Sequence, residues 1–230
     1  MDDYTIYYGL TFLAFGISMA AQLFVRSVYS KYDRIGARRN ITGMQAAREL
    51  LDRNGMYDVG IRQVNGFLTD HYDPKTKEVR LSAANYQGTS LSNVSIACHE
   101  CGHAIQDAES YRLLNLRSTL VPAVNISSYA GYFAIMMGTL LGMLQIIWIG
   151  IGLEMLILFF QIITLPIEFD ASARALKQIE SVQLLDTDEV PGGRKVLTAA
   201  ALTYVAGVAA TLLQILRLIL FYGRRDNRRR

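Results

Sequence analysis

Residues 121–165 read VPAVNISSYAGYFAIMMGTLLGMLQIIWIGIGLEMLILFFQIITL, and in these 45 residues Glu154 is the sole charge. At about 1.5 Å of rise per residue, such a run supplies two crossings of a hydrocarbon core roughly 30 Å thick. A tight turn near Gly142 to Gln145 joins them. Two further stretches carry the same signature. Tyr4 to Val25 offers 22 residues with no ionisable group other than tyrosine. It follows Asp2 and Asp3 rather than a basic segment, and it exceeds the apolar core of a signal peptide, so it reads as a retained anchor. Thr198 to Tyr222 is apolar again, opens on small residues suited to close helix packing, and is interrupted by Arg217. The expected fold is a mainly α polytopic membrane protein with about four membrane helices.

The composition agrees: 230 residues at 51% hydrophobic and 19% charged exclude disordered, collagen-like and disulfide-rich classes. Placement of charge says more than its net value of +3, because 17 of the 23 Lys and Arg residues fall in 26–120 and 166–197. The positive-inside rule puts both stretches in the cytoplasm and the N-terminus outside. The chain so divides into an anchor (1–25), a cytoplasmic α+β region (26–120), a transmembrane hairpin (121–165), a cytoplasmic helix (166–197), and a fourth apolar segment with the basic tail RRDNRRR (198–230). If 198–222 crosses, that tail lies outside, against the rule. The 19 uncharged residues before Arg217 favour a crossing with Arg217 snorkelling, and a re-entrant segment is the alternative.

Within 26–120, Thr42 and Gln45 form a capping-box pattern that opens a helix ending at Asn54-Gly55. Alternation over Ile61 to Tyr72, an Asn65-Gly66 turn and the turn Asp73-Pro74-Lys75-Thr76 before Glu78–Ser82 predict a small antiparallel sheet. Ser90 to Glu109 then forms a helix capped by Ser90 or Ser92.

That helix contains Cys98-His99-Glu100-Cys101-Gly102-His103. Four residues apart, His99 and His103 project from one face and can hold one ion, with Glu100 beside them to take a proton from a metal-bound water. The bland reading is a pair of solvated helix histidines. A zinc site of this kind takes three protein ligands. Topology returns Leu165-Pro166-Ile167-Glu168-Phe169-Asp170 to the same membrane side, on a helix beginning at Pro166. Glu168 and Asp170 face apart on a helix, so at most one ligates, and a lone acid in a first turn is ordinarily explained by the helix dipole. Cys98 and Cys101 lack the further ligands of a zinc knuckle and read as small apolar residues beside the site. Glu154 is costly in mid-span unless it faces the bundle interior, as a neutral packing residue or in substrate access.

At these residues the chain resembles the YugP-type bacterial membrane zinc metallopeptidases, related to the HtpX-like membrane proteases. HECGHAIQ, the later LPIEFDASARAL, GFLTDHYDPKTKEVRLS upstream and AAALTYVA downstream carry the likeness, in the same order from first span to fourth. The resemblance implies a small zincin-like α+β catalytic region of the gluzincin kind. It implies one catalytic Zn²⁺ held by His99, His103 and Glu168, with Glu100 as general base. It also implies a bacterial plasma-membrane location with the site on the cytoplasmic side. The wider group has an aspartate four residues after the ligand glutamate where this chain has Ser172. Asp170 or Ser172 is then the candidate to support a zinc histidine, and His71 either steadies an oxyanion or is structural. The strand Glu78–Ser82, read as an edge, is placed to pair with an extended substrate. Expected partners are membrane lipids and a protein or peptide substrate, with no sign of nucleic acid. Two other classes fit the same residues: a membrane adaptor that keeps the metal without catalysis, and a metal-binding transporter or sensor in which Glu154 matters more than Glu100.

Overall fold

The structure, a computed structural model, describes residues 3–227. Asp2, residues 228–230 and the side chains from Arg224 onward, which enter the orientation argument, lie outside the described residues. The elements in chain order are α1 (Asp3–Asp33), α2 (Gly43–Arg53), β1 (Gly60–Val64), β2 (His71–Asp73), β3 (Glu78–Ser82), α3 (Ala83–Gln87), α4 (Leu91–Ala108), α5 (Arg112–Leu141), α6 (Leu144–Ser181) and α7 (Val190–Asn227). Among them α1, α5, α6 and α7 are long and apolar enough to cross a membrane. The chain forms two compact units, one built from the helix segments up to Gln22, Leu116–Leu165 and from Thr203, the other from Leu23–Asn115 and Pro166–Leu202.

In the first unit α5 and α6 are joined at Gly142, whose φ of 66° suits a residue without a side chain. The two helices approach closely because glycines meet across them. A Cβ on Gly150 would lie 2.9 Å from the Gly131 carbonyl oxygen, and one on Gly138 would lie 2.9 Å from the Ile147 nitrogen. Ile147 and Ile151 of α6 pack with Ile215, Leu218 and Phe221 of α7. Glu154 is buried within this unit, as a mid-span carboxylate requires. The guanidinium of Arg217 donates to the Thr11 hydroxyl and lies 4.9 Å over the Tyr7 ring, so α1 supplies both a hydrogen bond and a cation–π contact to it.

In the second unit α4 is surrounded. The Thr42 hydroxyl accepts from the Gln45 amide and the Gln45 side chain accepts from the Thr42 amide, closing the expected cap of α2. A Cβ at Gly43 would collide with the Asn85 carbonyl oxygen, so this glycine lets the start of α2 sit against α3 and α4. The core joins Leu50 and Leu51 of α2, Val79 and Leu81 of β3, Val94, Ala97 and Ala104 of α4, Ile179 of α6 and Leu197 of α7.

The sheet differs from the expected antiparallel one. Its strand order is β1-β3-β2, with β1 parallel and β2 antiparallel to β3. The turn at 73–77 makes β2 and β3 a hairpin, as its chemistry predicts. The Asn65-Gly66 signal does not make a second one. Asp70 accepts hydrogen bonds from the Ser82 amide at 2.7 Å and from the Asn85 side chain at 2.8 Å, which carries the chain past β3 to its far side. Strand β3 is therefore central, not an edge, and cannot pair with a substrate. The exposed edges are β1 and β2.

Candidate metal centre

Helix α4 begins with Ser90, whose hydroxyl accepts from the Asn93 amide while the Asn93 side chain accepts from the Ser90 amide. One face of α4 is core. Cys98 and Cys101 are free and fully buried there, the Cys101 thiol points at the Ala47 carbonyl at 3.7 Å, and burial pushes both thiols up. Neutral and enclosed, they are poor metal ligands.

The opposite face carries His99, Gly102, His103 and Gln106, spaced i, i+3, i+4 and i+7, and it meets α6. A Cβ on Gly102 would lie 2.5 Å from the Ala171 carbonyl oxygen, so the two backbones touch here. This approach brings Glu168 across to the imidazoles. Its Oε2 lies 3.3 Å from His99 Nε2 and 3.6 Å from His103 Nε2, and the three side chains place ligand atoms within 4.8 Å of one another. The side chain of Glu168 is 3% exposed, yet Oε2 has no aligned hydrogen-bond partner. An orphaned buried carboxylate oxygen beside two imidazole nitrogens is what a cation site leaves when the protein alone is considered. Zinc with bonds of about 2.0–2.2 Å in a tetrahedron sets neighbouring ligand atoms about 3.4 Å apart, and the separations of Glu168 Oε2 from the two imidazole nitrogens fit that ion.

The structure corrects one feature of the approach to Glu168. No helix begins at Pro166: α6 runs unbroken from Leu144 to Ser181 with that proline inside it. Proline forgoes its own amide bond and its ring crowds the carbonyl one turn back, a local cost that a helix long on both sides absorbs. Glu168 is consequently in mid-helix, and the first-turn dipole does not explain it.

Asp170 and Ser172 support the centre differently. Ser172 Oγ is 3.2 Å from His99 Nδ1. Asp170 reaches His103 only through Gln106, whose amide nitrogen donates to the Ile167 carbonyl at 2.9 Å and to Asp170 Oδ2 at 2.7 Å. Both of those partners only accept, so the Gln106 oxygen must face His103 Nδ1, 3.0 Å away. That nitrogen therefore carries the proton, and His103 Nε2 keeps its lone pair for a metal. Arg174 holds Asp170 in turn, with Nε 2.5 Å from Oδ2, and its other arm reaches Glu109 at 2.6 Å. Gln106 does not stand out in the sequence, although its spacing from His99 and His103 puts it on their face. Replacing Gln106 with leucine should leave the fold intact and weaken zinc binding about 10- to 100-fold, measured by competition with a chromophoric chelator.

Glu100 is buried beside the cluster. Burial raises the pKa of its carboxyl, the charges of His99 and His103 counter this, and those of Glu168 and Asp70 add to it. For Glu168 burial also acts upward, but the hydrogen bonds and positive charge that His103 and His99 supply when protonated outweigh it and hold the carboxyl well below the usual carboxylate range. His71 is not brought to the cluster: it stands exposed at the start of β2, where Nδ1 meets the Thr69 carbonyl at 2.8 Å.

With His99, His103 and Glu168 assembled, the comparison with known proteins is consistent in kind. Over residues 7–223 the chain matches the family described as "Putative neutral zinc metallopeptidase", and it belongs to that family. It is similar to the "Putative membrane protease YugP" of Bacillus subtilis (strain 168), with 46% identity over 220 residues that span 95% of this chain and 98% of the relative. No solved structure matches.

Proposed function

We propose that the protein is a zinc-dependent endopeptidase with a zincin-like centre, cutting membrane proteins or membrane-proximal peptides. The observation that carries this reading is the buried, unbonded Oε2 of Glu168 beside His99 Nε2 and His103 Nε2. His99, His103 and Glu168 hold the ion, and Gln106 and Ser172 fix the two imidazoles through their Nδ1 atoms. When bound, zinc supplies Lewis acidity, making water acidic near neutral pH and polarising a carbonyl oxygen.

Glu100 is the general base. A carboxylate oxygen of Glu100 takes the proton of the attacking water and returns it to the leaving amine nitrogen, so peptide cleavage consumes one water and leaves Glu100 unchanged. The outer edge of β2, His71–Asp73, offers backbone groups to an extended substrate in place of β3.

Glu168 follows the last residue of the apolar run 121–165 by three positions, which puts the centre at the membrane surface. The basic residues of 26–120 and 166–197 support a cytoplasmic site, and with it our reading of a bacterial plasma-membrane protein with four crossings and the N-terminus outside. Chelation tests the reading. Stripping metal from the detergent-solubilised protein should lower cleavage of an unstructured test protein at least about a hundredfold, and one equivalent of zinc should restore it. Full activity in the metal-free protein would refute the reading.

A further inference from the structure

The loop between β1 and β2 has an unusual crest. Polar turn residues, Asn65-Gly66 before and Thr69-Asp70 after, flank Phe67 and Leu68. Gly66 has φ 111° and Leu68 has φ 54°, a left-handed conformation that leucine seldom adopts. Neither apolar side chain joins the core: Phe67 is 59% exposed and Leu68 38%.

The place of this crest is set at both ends. The Phe67 ring meets the Tyr29 ring of α1 edge-on at 5.5 Å. Tyr29 is itself fixed, its hydroxyl donating to Asn85 Oδ1 at 3.1 Å, and Asp70 ties the far end of the loop to Ser82 and Asn85. The loop therefore sits against α1 at the level of Tyr29. That level is informative, because Tyr29 follows Val25, the last residue of the charge-free run, by four positions, or about 6 Å of helix. A headgroup layer is about 5–7 Å deep on each side of the hydrocarbon core, so with the core ending at Val25 the Tyr29 level of α1, against which Phe67 packs, falls within it. Tyrosine and tryptophan concentrate at that depth in membrane proteins, and Phe and Leu are the residues that interfacial segments bury at the headgroup–acyl boundary. Leu23 and Phe24 of α1, 60% and 50% exposed, end the lipid-facing apolar surface less than two turns earlier.

We infer that the crest at 66–68 is a membrane-contact loop whose partner is the bilayer that α1 crosses, with Phe67 and Leu68 seated at the headgroup–acyl boundary. This rests on α1 being a membrane span and is independent of the metal chemistry. Its consequence is positional: β2 follows the loop directly at His71, so the edge strand is held at the membrane surface, where a peptide emerging from the bilayer would meet it.

Depth-dependent fluorescence quenching tests the inference. The full chain is reconstituted into phosphatidylcholine and phosphatidylglycerol vesicles with lipids brominated near the headgroup end of their acyl chains. The natural tryptophan, Trp148 of α6, is the sole tryptophan of the chain, and in the wild-type protein it reports whether the helices are inserted. A Phe67→Trp substitution in a Trp148→Phe background reports on the loop, and a gel-filtration profile and helical circular dichroism equal to wild type show that this variant is folded. The inference predicts a blue-shifted probe at position 67 that loses about half its emission or more to the brominated lipid and is poorly reached by acrylamide in the water. A water-like probe, quenched by acrylamide and untouched by bromine while Trp148 is quenched, would overturn the membrane-contact loop and leave the spans standing. Loss of lipid quenching at Trp148 itself would overturn the spanning of the bilayer and the loop with it.

Discussion

A Glu168→Gln variant should fold and should not hold zinc. The substitution conserves the size and the buried position of the side chain but removes the sole anion among the three ligands. It also sets an amide where an unbonded carboxylate oxygen now lies 3.3 and 3.6 Å from two imidazole nitrogens. Losing a supporting partner of a ligand costs metal sites about 10- to 100-fold in affinity, and losing the charged ligand itself should cost more than about a thousandfold. Zinc content after gel filtration reads this directly. Asp170→Asn is the contrast: Asp170 stands behind Gln106 rather than at the ion, so that variant should leave the column with its zinc. A zinc-free Asp170→Asn protein beside a zinc-loaded Glu168→Gln protein would reverse the assignment of the third ligand.

The second large effect is expected at Glu100. Glu100→Gln keeps the shape of a buried side chain and takes no ligand from the ion, so zinc content should match wild type. The amide cannot accept the proton of the attacking water. Cleavage of an unstructured test protein should therefore fall about 100- to 10,000-fold in kcat with little change in KM. The pH dependence of the wild type follows from the same group. A general base works only when ionised, so kcat/KM should decline as pH falls and Glu100 takes up its proton, burial acting to move that decline to higher pH and the bound dication to lower pH. Unchanged proteolysis by the Glu100→Gln protein would remove Glu100 from the mechanism.

How much of this is legible in the sequence depends on the range of the interaction. The break at Gly142 and the caps at Thr42 and Ser90 are set by neighbours within a few residues, and each appears as predicted. The pairing of His99 with His103 is legible for the same reason, being a property of one helix turn. Glu168 becomes a candidate through membrane topology, which is also a sequence-wide pattern, although the mid-helix setting of Pro166 is not foreseen. The mixed sheet is not legible because it is decided by Asp70 bonding to groups 12 and 15 residues away, which no turn signal encodes. Gln106 is invisible for a related reason. A glutamine three residues beyond a histidine is ordinary in any helix, and it orients His103 only once α6 has brought Ile167 and Asp170 to its amide nitrogen. Gly102 likewise reads as a weak point in a helix until the Ala171 carbonyl is seen against it.

The zinc X-ray absorption spectrum of the purified, zinc-loaded protein reads the ligand set itself, independently of activity. The assembly of His99, His103 and Glu168 predicts a first shell of nitrogen and oxygen atoms at about 2.0–2.2 Å, with the outer-shell scattering of two imidazole rings and no sulfur. A sulfur shell at about 2.3 Å would place the ion on Cys98 and Cys101 instead and contradict the account.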